Sequence, residues 1–266
     1  MRLGLMNTAL GDGVLEEHFQ RASAVGAEGL EISYPAPYGA KVLGEDGHAE
    51  QLKSLAQKHN VAIPSLGLSF LCDAPSLVGP AKMADQSRKQ IVRALDLAAA
   101  IGAKVVLVPF FRKNSIQLEP ELSRAADALL PLVEQAEERG VIVALETTIN
   151  MDQTRFLLDF LGNSDFARSY YDVGNVMARK FDPATGIREL GKSIAQVHFK
   201  DVKLSEAAAP DFNVPLGGGN VDLRACVNAL RAIDYDGWIV LETPPGADPL
   251  TSASANLAFM GNILKE

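Results

Sequence analysis

The chain has 266 residues, 47% hydrophobic and 22% charged, with a formal net charge of −8. That composition supplies a sizeable core and excludes a disordered chain, and the acidic balance argues against a nucleic-acid backbone as the main partner. No apolar run reaches the roughly 20 residues that span a bilayer, and the opening "MRLGLMNTALGDG" turns polar too soon for a secretory signal.

In chain order, short β-forming runs alternate with helical stretches. The runs are 2–7, 28–33, 61–67, 103–109, 141–147, 168–173, 194–200 and 237–243. Between them apolar residues recur at three- and four-residue spacing. The clearest case is 88–103, with Ile91, Leu95, Ala98 and Ala99 on one face and Gly102 as a stop. A second helix over 120–140 also ends on glycine, and Pro131 inside it predicts a kink or a second start. Eight strands and eight helical segments in strict order imply parallel strands with right-handed crossovers. The fold class is α/β, a single (β/α)8 TIM barrel over residues 1–266. No G-x-G-x-x-G follows the first run, as an open nucleotide-binding sheet would require. The Gly-rich stretch inside 202–220 lacks G-K-[ST], so it reads as a phosphate cradle or as a plain turn or lid.

Two of these runs are near repeats, "VALETT" at 143–148 and "IVLETP" at 239–244. Strands covered on both faces read as continuous apolar runs, and a carboxylate ending one must be solvated or partnered. In such a barrel functional residues come from the C-terminal strand ends. Those ends carry Asn7, Glu31, Glu146, Asp172, His198 and Glu242. Taken singly, each has an ordinary reading: a solvated acid, a turn-initiating aspartate, a core histidine. Taken together, strands five to eight present three acids and an imidazole at one barrel end. Unpaired, the acids would repel one another, and a divalent cation removes the problem. The mixed oxygen and nitrogen set suits Mn²⁺, Mg²⁺, Co²⁺ or Zn²⁺. Cys72 and Cys226 are far apart and lack CxxC spacing, which predicts free thiols and a cytoplasmic setting.

With "ALETT", "YYDVGNV", "VHFKD", "VPLGGGNVD" and "GWIVLET", the chain resembles the xylose-isomerase-like TIM-barrel superfamily and, within it, the ketose 3-epimerases of the L-ribulose/L-xylulose 5-phosphate and tagatose/psicose types. The resemblance implies one divalent metal ion on Glu146, Asp172, His198 and Glu242, with Glu146 and Glu242 as the acid/base pair. It places Asp152, one methylene shorter than in some relatives, and Asn175, where others have histidine, against the substrate. Leu204 stands where an arginine is expected, and Lys200 and Lys203 are the nearby cations. Glu31 is a candidate for a sugar hydroxyl or a salt bridge. The implied reaction is proton transfer beside the carbonyl of a ketose or ketose phosphate through an enediolate, 3-epimerisation first. Aldose–ketose or hydroxypyruvate isomerisation and inosose-type dehydration use the same site; a non-enzymatic sugar-binding barrel is the remaining rival. An endonuclease IV-type nuclease needs many more histidines than His18, His48, His59 and His198. The expected partner is a small sugar, with no nucleic acid and no membrane. Homo-oligomers are the common case for such chains.

Overall fold

Eight short apolar runs become eight parallel strands that close into one barrel in sequence order, β1 to β8. The computed structural model describes every residue except Pro75. The strands are β1 Arg2–Met6, β2 Gly29–Ser33, β3 Ser65–Gly67, β4 Val105–Pro109, β5 Ile142–Glu146, β6 Ala167–Asp172, β7 Ile194–Phe199 and β8 Trp238–Leu241. Every residue of β2, β4 and β8 is buried, as continuous apolar runs demand. Ten α-helices are described: α1 Leu15–Ala24, α2 Gly39–Val42, α3 His48–His59, α4 Ala81–Ile101, α5 Glu119–Arg139, α6 Met151–Phe160, α7 Val173–Ala178, α8 Pro183–Leu190, α9 Leu223–Ala232 and α10 Pro249–Lys265. The short α2 and α7 are additional to the eight expected segments.

Contacts group residues 1–31, 55–62 and 171–266 into one compact unit and residues 32–54 and 63–170 into another. In the first, Met6, Trp238 and Val240 form a buried cluster, and the Arg2 guanidinium lies 4.1 Å from the centre of the Trp238 ring. In the second, β4 and β5 pair over five residues, from Val105 with Ile142 to Pro109 with Glu146.

Two local expectations change. The third strand is shorter than 61–67, because Pro64 has no N–H to give a ladder; Ala62 makes only an isolated bridge with Gly29. Pro131 does not start a second helix, since α5 runs from Glu119 to Arg139 with Pro131 inside it. Pro131 and Asp127 are both exposed, so the carbonyl that Pro131 cannot serve faces the wet side of the helix. Tyr34 is buried, and its hydroxyl meets His48 Nε2 at 2.8 Å. The glycine stops hold, Gly102 and Gly140 both ending helices at positive φ.

Burial also sets a pH limit. It pushes the Cys226 thiol from 9.0 up to about 12, and the phenols of Tyr34, Tyr171 and Tyr235 well above 10.0. The folded chain keeps these protons at pH values where the unfolded chain has lost them. Their contribution is complete below about pH 9 and falls as pH rises towards 12. Urea midpoints should therefore drop steadily above about pH 9; a midpoint unchanged to about pH 11 would contradict this.

Candidate metal centre

β5, β6, β7 and β8 each place one donor at the barrel end. Ligand atoms of Glu146, Asp172, His198 and Glu242 all lie within 4.8 Å of one another. Three of the four residues are buried, and Glu242 keeps a side chain 30% exposed. The sheet fixes their backbones: Phe110 N donates to Glu146 O at 2.8 Å, and Glu242 N donates to Phe199 O at 3.1 Å. Asp172 has a second duty, because its Oδ1 accepts from Asn175 N at 2.7 Å and caps α7. Thus the turn-initiating reading of Asp172 and its place in the cluster are both correct.

His198 is oriented from behind. Its Nε2 lies 2.9 Å from Glu31 Oε1, and both side chains are almost wholly inaccessible. Nδ1 faces the carboxylates, 3.3 Å from Glu242 Oε2 and 3.8 Å from Asp172 Oδ2. For Nδ1 to serve as a metal donor, Nε2 would carry the proton and Glu31 would accept it. Of the two readings of Glu31, a sugar hydroxyl or a salt bridge, its contact with the imidazole at 0% exposure matches the second. Replacing Glu31 with Gln should weaken Mn²⁺ binding by roughly 10- to 100-fold in calorimetry. An unchanged affinity would separate Glu31 from the centre.

Lys200 stands inside the cluster, its Nζ 2.9 Å from Asp172 Oδ2 and 2.7 Å from Glu242 Oε2. Burial opposes ionisation of Glu242, yet the Lys200 ammonium and His198 outweigh it and hold that carboxyl well below its usual range. His198 and Lys200 are two residues apart on one strand end, so alternation was the signal that both face the same side. Asp152 lies elsewhere in character: it is in the first turn of α6, 96% exposed, 4.0 Å from Arg155. Lys203 is exposed.

The Gly-rich stretch is no phosphate cradle. Its amides are already spent on Asp201, a buried carboxylate: Oδ2 accepts from Gly217 N at 3.0 Å and Gly219 N at 2.9 Å, and Oδ1 accepts from Val221 N at 3.0 Å and Val202 N at 2.8 Å. A Cβ on Gly219 would collide with Asp201 Oδ1. The protein supplies its own anion to this loop.

Three carboxylates and one imidazole backed by Glu31 match the demands of a hard or borderline divalent cation. The class defined by this fold and cluster is a TIM barrel with a candidate metal centre at the strand ends. The chain belongs to the xylose isomerase-like TIM barrel family, whose model matches residues 19–263. A 2-epi-5-epi-valiolone 7-phosphate 2-epimerase from Actinoplanes sp. is 30% identical over 211 residues, covering 79% of this chain and 75% of that protein. An inosose dehydratase from Clostridium tetani is 22% identical over 281 residues, covering 91% and 87%. In fold, the chain matches E. coli 3-keto-D-glucoside 4-epimerase with a TM-score of 0.78 at 20% identity, covering 98% of this chain and 99% of that one. An L-ribulose 3-epimerase also gives 0.78, at 19% identity, covering 99% and 94%. The protein is an enzyme of the isomerase and epimerase type. No helix among the described residues is long and apolar enough to cross a membrane.

Proposed function

We propose that this chain, acting as one catalytic domain over residues 1–266, is a divalent-metal-dependent epimerase that inverts C3 of a ketose or ketose phosphate. The observation that carries the reading is the meeting of Glu146 and Glu242 with Asp172 and His198 in one cluster. Those four would hold the ion, which when bound supplies Lewis-acid polarisation of the substrate carbonyl and lowers the cost of charge on its oxygen.

The residues do the rest. Glu146 ends β5 and Glu242 directly follows β8, three strands apart in the closed order, so they are suited to opposite faces of one carbon. One carboxylate takes the proton from the carbon beside the carbonyl. The other, as a carboxylic acid, returns a proton to the opposite face, and the centre inverts. Glu31 fixes the His198 ring. Asn175, on the first turn of α7, and Asp152, on the first turn of α6, are assigned to substrate hydroxyls by their place in the sequence pattern. Lys200, beside Glu242, is assigned to the substrate's oxygen side. Buried, unlinked cysteines support a reducing, cytoplasmic setting.

The Actinoplanes relative supports epimerisation of a phosphorylated polyol ketone. The length of the match to inosose dehydratases supports a second reading, in which the same proton abstraction is followed by loss of a β-hydroxyl. Incubating the Mn²⁺-loaded enzyme with free and phosphorylated ketopentoses, ketohexoses and inososes separates them. The proposal expects a C3 epimer of equal mass from a ketose. Loss of water from an inosose, with no ketose turned over, would replace it with the dehydratase reading.

A further inference from the structure

Lys200 is built into the carboxylate set. Its side chain is 13% exposed; its Nζ donates to Glu242 Oε2 at 2.7 Å and makes an ion pair with Asp172 Oδ2 at 2.9 Å. Two neighbours hold it there. A Cβ on Gly174 would lie 2.5 Å from Lys200 Cγ and 2.9 Å from the Lys200 carbonyl oxygen, so the stem passes where only glycine leaves room. On the other side, the centre of the Phe212 ring is 5.2 Å from Nζ, within cation–π range. Phe212 itself follows a backbone bridge between Lys203 and Asp211, in the loop that Asp201 anchors.

We propose that Lys200 is a positioning residue that shares Asp172 and Glu242 with the divalent cation, and so sets how tightly that cation is held. The inference rests on the metal reading above. Asp172 and Glu242 are half of the donor set, and the same two oxygens serve the ammonium. A positive charge a few ångströms from a divalent ion opposes it, and an oxygen engaged by N–H is a poorer donor. The Phe212 face gives the ammonium a second resting place, so it can yield the oxygens without losing all its partners or its charge. Lys200 thus holds the acids together against their mutual repulsion and weakens the hold on the cation.

The test is Mn²⁺ titration calorimetry, with manganese EPR as a second readout, on the wild type, Lys200→Met, Lys200→Arg and Lys203→Met. Lys200→Met should bind Mn²⁺ roughly tenfold tighter or more, Lys200→Arg within about threefold of wild type, and Lys203→Met unchanged. Lys200→Gln is the second neutral variant, should the methionine chain not fold. A neutral variant that binds equally or more weakly, while the wild type binds, overturns the inference and leaves the metal centre standing. If neither wild type nor neutral variants take up Mn²⁺ or Co²⁺, the metal reading falls, and this inference with it.

Discussion

Glu146→Gln and Glu242→Gln should each lower epimerisation by roughly 10³-fold, the usual worth of a positioned acid or base, in enzyme that still folds. The amide keeps the shape and an oxygen but cannot accept the proton. Each variant retains one working carboxylate, so each should still exchange the C3 proton of one epimer with solvent and fail to invert it. The two variants should exchange opposite epimers. Metal content is measured alongside, since both residues are also candidate ligands. A metal-loaded variant with wild-type epimerisation would rule out its glutamate as a base.

Asp201→Ala should cost about 3 kcal/mol or more of stability, because four backbone N–H groups lose their acceptor inside the protein. The loop from Val202 to Val221 should open to proteases, most readily across the exposed residues 205–213. Asp201→Asn is expected between wild type and alanine, because it keeps an oxygen but turns an NH₂ towards N–H donors. A urea midpoint within error of wild type for the alanine variant would contradict the anchoring role.

Much of this was legible in the sequence because periodicity and burial act locally. The apolar runs ending in Glu146 and Glu242 are what a strand covered on both faces must look like, and strict β–α order leaves few topologies. The four clustered donors followed from a rule about barrel strand ends. The partners of single residues were harder to read. Glu31 and His198 are 167 positions apart, and pairing across such a distance depends on closure of the sheet. The Gly-rich loop has the composition of an anion cradle, and an anion does sit on it. That anion is the chain's own Asp201, directly after Lys200 in "HFKD", and composition cannot distinguish an internal carboxylate from a ligand. The second start offered at Pro131 does not occur, because whether a proline ends a helix depends on whether the carbonyl one turn back can reach water, which is a property of the packed helix.

The central claim, that two glutamates move a proton at the carbon beside a carbonyl, is tested most directly by turning over a ketose substrate in D₂O with the Mn²⁺-loaded enzyme. The product, read by NMR at early conversion, should carry deuterium at the inverted carbon and nowhere else. An inverted product with protium retained at that carbon, or deuterium only at C1, would contradict the account.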